Sequence, residues 1–175
     1  RARLEVATPF VLMGYLNPIL AFGIEPFMTA CAQNGVDGVI VPDLPPEEAV
    51  EWCAAARRHD VGTVFLLAPT STPEREAAVI SASTGFVYFV SVTGVTGTRT
   101  EAPDIEAHVQ RVRNHSKVPV AVGFGISTPA QAQAIARFCD GVVVGSALVD
   151  CIARHASVAN FVSSFRQALN QESPC

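Results

Sequence analysis

The sequence predicts a parallel α/β fold, a β/α barrel of which six strand–helix units are present. Strand-like and helix-like segments alternate along the 175 residues at a spacing of roughly 25, the pattern of repeated parallel strands joined by helical crossovers. The last two strand-like segments, residues 118–122 and 141–144, are short, β-branched and nearly free of polar residues, as strands buried on both faces are. They run into glycine, at Gly123-Phe124-Gly125-Ile126-Ser127 and at Gly145-Ser146. In a β/α barrel the loops after the final strands are a frequent phosphate site. An open doubly wound sheet instead places its glycine loop after the first strand, which favours the barrel here. A complete (β/α)8 TIM barrel takes about 250 residues. The chain opens on Arg1 and reaches a strand-like run almost at once. The expectation is therefore a barrel lacking its first two βα units, with residues 1–175 forming a single domain.

The elements follow in order. Residues 9–15 read as a strand and 24–33 as a helix, with Gly35 just past its end. Residues 38–41 form a strand ending at Pro42-Asp43. Residues 46–59 read as one helix, with Pro46, Glu47 and Glu48 in its first turn and Arg57-Arg58 in its last, each suited to the helix dipole. A strand at 62–68 precedes a helix at 73–82, capped by Ser71 or Thr72 with Pro73 at its first position. A strand at 86–91 leads into a loop over 92–102, then come a helix at 103–114, a strand at 118–122, a helix at 128–138 and a strand at 141–144. The remainder is helical to about Asn170, and Ser157 separates a short helix from the last one.

Composition narrows the function. Apolar residues make up 49% and charged residues 16%, which suits a sheet covered by helices. A net charge of −4 leaves no electrostatic footprint for nucleic acid or an anionic membrane. No apolar run approaches the roughly 20 residues of a membrane span. Cys31, Cys53, Cys139, Cys151 and Cys175 are odd in number, scattered and without a Cys-x-x-Cys pair, and read as reduced thiols of an intracellular protein.

Ligands of such folds meet the carboxyl ends of the strands. The candidates there are Tyr15 and Asn17, Asp43, Pro69 and Thr70, the 92–102 loop, the 123–127 loop, and Gly145-Ser146. Asp43 is the carboxylate lying directly at a strand end. It either faces the site as a polar residue or caps the helix beginning at Pro45 or Pro46. Gly94-Val95-Thr96-Gly97-Thr98-Arg99 lies in a connection longer than the usual two to six residues, and reads as a lid. His59, His108, His115 and His155 all fall away from strand ends and read as surface or helix-end residues; Trp52 reads as packing. Neither a nucleophile–histidine–carboxylate set nor a metal site is indicated.

Taken together and in order, Met13-Gly14-Tyr15-Leu16-Asn17-Pro18, Val41-Pro42-Asp43-Leu44-Pro45, Ser91-Val92-Thr93-Gly94-Val95-Thr96-Gly97, Gly123-Phe124-Gly125-Ile126-Ser127 and Val144-Gly145-Ser146-Ala147 are specific. The sequence resembles the tryptophan synthase alpha chain over essentially its whole length. The resemblance implies a barrel lyase of tryptophan biosynthesis that cleaves indole-3-glycerol phosphate, by a retro-aldol step, to indole and glyceraldehyde 3-phosphate. It implies no cofactor for this chain, pyridoxal phosphate belonging to the beta chain, and that beta chain as partner in an alpha2beta2 heterotetramer. By the same resemblance Tyr15, Ile40 and Tyr88 line the indole pocket. Gly97, Phe124, Gly125, Gly145 and Ser146 hold the phosphate, Thr96 is the lid threonine, and Asn17 and Pro45 face the beta chain. The family's acid and base, a Glu and an Asp, would lie upstream of Arg1, so no catalytic residue is assigned and this length is expected to be inactive alone. The resemblance places the protein in the cytoplasm, or in a chloroplast stroma for a plant or alga. The alternatives are a non-catalytic barrel fragment that keeps phosphate and partner binding, or another phosphosugar isomerase or epimerase barrel, which would lack the Gly-Val-Thr-Gly lid.

Overall fold

The computed structural model describes residues 5–90, 105–123 and 125–170. Strands and helices alternate among them as β1 (Val11–Met13), α1 (Leu16–Phe22), α2 (Ile24–Gln33), β2 (Gly38–Ile40), a 3-10 turn at Pro46–Glu48, α3 (Val50–Arg58), β3 (Gly62–Leu67), α4 (Pro73–Ala82), β4 (Phe86–Val90), α5 (Ile105–His115), β5 (Val120–Gly123), α6 (Pro129–Ala136), β6 (Gly141–Val143), α7 (Ser146–Ala153) and α8 (Val158–Asn170). The chain forms two compact units. Of the described residues, the first comprises 5–67, 71–88 and 116–118, and the second 68–70, 89–90, 105–115, 119–123 and 125–170.

In the first unit the strands lie in the order β1-β2-β3-β4. β1 runs parallel to β2 with Met13 opposite Ile40, and β2 parallel to β3 with Ile40 opposite Val64. The register is pinned where the strands begin. Phe10 N–H donates to the Asp37 carboxylate at 2.7 Å, and Asp37 N–H donates back to Phe10 C=O at 2.8 Å. Thr63 and Thr84 repeat the device one strand over, with Thr63 N–H on Thr84 Oγ1 at 2.9 Å and Thr84 N–H on Thr63 C=O at 3.0 Å. Small residues let the strand starts crowd together. A Cβ on Gly62 would stand 3.0 Å from Asp37 O and 3.2 Å from Gly85 Cα.

The helices of this unit close on buried side chains. Trp52 of α3 is buried and stacks on Phe27 of α2, ring centroids 6.1 Å apart, beside buried Met28, Cys31 and Ala55. Outside that seam, Glu25 accepts hydrogen bonds from Arg58 and pairs with the His59 ring at 2.7 Å. Between α1 and α2 the chain turns at Gly23, whose φ of 95° only glycine adopts without strain, and its N–H caps Ile19 C=O at 2.8 Å.

In the second unit the order is β4-β5-β6, with β5 parallel to β6 and Gly123 opposite Val143. Asp140 takes the part that Asp37 plays in the first unit. It accepts Val120 N–H at 2.9 Å and returns its own N–H to Val120 C=O at 2.9 Å. Its carboxylate also anchors Arg113 of α5 at 2.8 Å. The core here is Phe89, Val109, Val112, Val120 and Val122, each fully buried. A smaller cluster joins Ile126, Ala132 and Phe165, with Phe161, Ile135, Val142 and Val144 against it.

Several details depart from the sequence reading. The helix expected over 46–59 is a 3-10 turn and a separate α3, divided at Ala49, whose φ of −93° and ψ of 15° are not helical. His108 is buried rather than superficial, its ring meeting Phe89 edge-on at 5.0 Å. Helix α1 was not foreseen at all.

Candidate functional site

The two glycine loops of the second unit are brought together by strand register. With Gly123 opposite Val143 at the ends of neighbouring parallel strands, Gly125 and Gly145 each follow two residues later in the sequence. Gly125 has φ of 74°, a conformation for which glycine is suited, and it is exposed. Ser146 is the first residue of α7, and Gly145 precedes it as the cap.

The helices that follow these loops differ in what their amino ends still offer. In α6 a side-chain cap is in place. Thr128 and Gln131 form a capping box, Gln131 N–H donating to Thr128 Oγ1 at 3.3 Å, while Gln131 Oε1 accepts Thr128 N–H at 3.1 Å and Ser127 N–H at 2.9 Å. In α7 no side chain caps the helix. Its first N–H groups carry the positive end of the dipole toward the Gly145 loop, an arrangement that favours an anion. A Cβ built on Gly145 meets no heavy atom within 4 Å, so packing does not demand glycine there.

In the first unit, Tyr15 and Ile40 sit on adjacent strand ends. Gly14 N–H donates to Ile40 C=O at 3.1 Å, extending the β1–β2 ladder up to Tyr15. Ile40 is buried and Tyr15 is 68% exposed. Tyr88 lies in β4 and is half-buried, and burial pushes its phenol pKa up, keeping the hydroxyl a donor. Asp43 does not cap the 3-10 turn that begins at Pro46. Its carboxylate accepts Leu16 N–H at 2.9 and 3.2 Å, the first N–H of α1. Asn17 is exposed in α1, and Pro45 is the extended residue that leads into the 3-10 turn. Thr96, Gly97 and Phe124, with the lid loop, lie outside the described residues.

A groove of about 720 Å³ opens elsewhere in the first unit, lined by Asp37, Cys53, Arg57, Gly62, Thr84 and Gly85. It lies where β2, β3 and β4 begin, whereas parallel α/β sheets bind ligands where strands end. It is therefore not the candidate site. Among the described residues no group of His, Cys, Asp and Glu could hold a metal ion. Burial pushes the Cys31, Cys53 and Cys139 thiols up, which leaves them poor nucleophiles. No described helix is long and apolar enough to cross a membrane.

The sequence profile of the tryptophan synthase alpha chain matches residues 1–173. The chain belongs to the tryptophan synthase alpha chain family. It is 49% identical over 176 residues to the tryptophan synthase alpha chain of Geobacter sulfurreducens, covering 97% of this chain and 67% of the relative. To that of Acidiphilium cryptum it is 53% identical over 146 residues, covering 83% of this chain and 53% of the relative. Among solved structures, an Aquifex aeolicus protein superposes with a TM-score of 0.85 at 40% identity, over 97% of this chain and 66% of the other. The tryptophan synthase alpha chain of Legionella pneumophila gives 0.80 at 36% identity, over 93% and 63%. The fold is thus the TIM-type α/β fold of this family. The chain spans between about half and two thirds of the length of these relatives.

Two elements of this region were missed in the sequence. The capping box was legible as Thr128-Pro129-Ala130-Gln131, a hydroxyl residue followed three places on by Gln. The Asp43–Leu16 contact had no local signal, because its partners stand 27 residues apart.

Proposed function

We propose that the chain is the substrate-binding part of a tryptophan synthase alpha chain, which cleaves indole-3-glycerol phosphate to indole and glyceraldehyde 3-phosphate in tryptophan biosynthesis. The observation that carries this is the uncapped amino end of α7 beside the Gly125 and Gly145 loops, a seat for a phosphate at the strands' carboxyl ends. Gly125, Gly145 and Ser146, with Gly97 and Phe124, are assigned to the phosphate. Tyr15, Ile40 and Tyr88 are assigned to the indole, with two aromatic rings and an aliphatic side chain to hold an apolar bicycle. Thr96 is assigned to the lid.

A retro-aldol cleavage needs an acid at the indole ring carbon and a base at the glycerol hydroxyl. The family's acid and base match no residue of this chain, so the 175 residues receive binding roles and no catalytic one. No cofactor is assigned to the chain, since the reaction needs acid–base chemistry alone; pyridoxal phosphate is assigned to the partner. That partner is a beta chain, met through Asn17 and Pro45 in an alpha2beta2 assembly. The cytoplasm, or the stroma of a chloroplast, is the compartment of this activity. A solved relative from Pyrococcus furiosus is a tryptophan synthase complex, and it superposes with a TM-score of 0.81 at 35% identity, which supports the assignment of a partner.

Positioned acid–base catalysis contributes roughly 10²–10⁴-fold per group. The purified 175-residue chain should therefore bind glyceraldehyde 3-phosphate by calorimetry yet release no detectable indole from indole-3-glycerol phosphate, with or without a beta chain. Substantial indole release by this chain alone would overturn the division of roles and make Asp43 the first residue to mutate. Loss of phosphate binding would overturn the site.

A further inference from the structure

Helix α1 begins without help from its own sequence. Its capping residue, Tyr15, makes no side-chain cap, and its first turn holds no acidic residue. Pro18 has no N–H to offer or to satisfy. The first N–H, that of Leu16, is met instead by both carboxylate oxygens of Asp43 at 2.9 and 3.2 Å, from the end of the neighbouring strand β2. A carboxylate at that position satisfies a free donor and complements the helix dipole, the two effects that an ordinary cap supplies.

The placement of this contact gives it a consequence. Leu16 stands between Tyr15 and Asn17, so the carboxylate holds the peptide that joins them. Asp43 itself stands between Ile40 and Pro45. Each of the two strand ends carries one residue assigned to the indole and one assigned to the beta chain. The contact clips the two ends together midway between these pairs. Tyr15 is exposed and, through Gly14, attached by backbone only to the last rung of β1, so little else fixes the direction of its side chain.

We propose that Asp43 is a positioning residue: by holding the start of α1 it sets the Tyr15 ring for the indole and the Asn17 amide for the beta chain together. The inference rests on the functional reading above. Removing Asp43 should then weaken two affinities at once, although it touches neither ligand.

The test uses the full protein with its beta chain and three variants, Asp43→Ala, Asp43→Asn and Glu25→Gln. Calorimetry measures the affinity for a non-cleavable analogue, indole joined to a phosphate by a chain without the glycerol hydroxyls, and separately for the beta chain. Loss of a helix cap is worth about 2- to 30-fold. Asp43→Ala should weaken both affinities within that range, and Asp43→Asn, which keeps one acceptor oxygen, should fall between it and the parent. Glu25→Gln, which removes a tie from α2 elsewhere, should leave both unchanged. An Asp43→Ala protein that melts earlier but binds both ligands as the parent does overturns the proposal, as does one that loses a single affinity. If Asp43→Ala does not fold, Asp43→Asn decides by the same criteria. A parent that binds neither ligand refutes the functional reading instead. In that case hydrogen exchange at residues 15–20 still decides the clip: Asp43→Asn must accelerate exchange there, and unchanged protection overturns it.

Discussion

Two glycine-to-alanine substitutions should separate residues that the fold needs from residues that the ligand needs. In Gly62→Ala, the new methyl group would stand 3.0 Å from Asp37 O and 3.2 Å from Gly85 Cα, both backbone atoms that cannot step aside alone. Overpacking of this kind costs about 1–3 kcal/mol. Alanine returns about 0.4–1 kcal/mol by restricting the unfolded chain, so the net loss centres on about 1.3 kcal/mol. For a domain of this size that lowers the melting temperature by roughly 3–5 °C. In Gly145→Ala the same methyl meets no heavy atom within 4 Å. The melt should stay within about 0.5 kcal/mol of the parent, while the methyl occupies the ground over which the phosphate must approach the amino end of α7. Circular-dichroism melts and calorimetry with glyceraldehyde 3-phosphate read the two effects separately. Gly62→Ala should bind with parental affinity and melt early; Gly145→Ala should melt normally and bind at least about tenfold more weakly, the loss of one charge-assisted contact. Parental binding by Gly145→Ala would remove that loop from the site, and an unshifted melt for Gly62→Ala would refute the close packing of strand starts.

Other perturbations follow from the same contacts. Ser146→Leu should block the seat at α7 and weaken glyceraldehyde 3-phosphate binding more than about tenfold by calorimetry, with an unchanged affinity excluding Ser146. Phe89→Ala, at a fully buried position, should cost about 3–5 kcal/mol in urea unfolding. Gln131→Ala should cost about 1 kcal/mol by undoing the capping box of α6, and a loss near zero would show that Ser127 and Thr128 find other acceptors. Glu25 is held at a pKa of about 2, below the usual 4.5, first by the Arg58 hydrogen bond and then by that of His59. A carboxylate whose folded pKa is depressed contributes stability above its unfolded pKa and loses it as pH falls through the folded one. The urea midpoint of the parent should therefore decline between about pH 4.5 and pH 2 more steeply than that of Glu25→Gln, and parallel curves would refute the pairing.

Most elements were legible because their signals are local. The helices at Ile24–Gln33 and Pro73–Ala82 begin and end where the sequence places them, Thr72 capping the second through Arg75 N–H at 3.3 Å. Ser157 likewise opens α8, its hydroxyl accepting Asn160 N–H. What escaped was set by residues distant in sequence. Helix α1 is seven residues long, carries Pro18 in its first turn and takes its cap from Asp43 across the sheet, so nothing in 16–22 announces it. The break at Ala49, whose φ of −93° and ψ of 15° leave the helical region, has no marker in the sequence, since 46–59 holds neither a glycine nor an interior proline. His108 was read as superficial from its place within a helix, but α5 turns that face toward Phe89. In the site, the glycine loops could be named from sequence. That α6 has a side-chain cap and α7 has none could be known only from where the Gln131 side chain goes.

Because every strand pairs with the one next to it in sequence, the order of the ladder is also a statement about folding kinetics. Each parallel rung, from Val11 with Gly38 to Ala121 with Gly141, closes a loop of roughly 20 to 30 residues, and doubling such a loop would add only about 0.6 kcal/mol of closure entropy. Among the described strands, these rungs do not wait for a distant part of the chain to arrive. The Asp37 and Asp140 ties to Phe10 and Val120 sit where such loops shut, acting as latches for a strand–helix–strand segment that can close as soon as it is synthesised. Chain growth from the ribosome would then add rungs in the order in which they are translated, and slowing one latch should delay the rungs beyond it while leaving those before it intact.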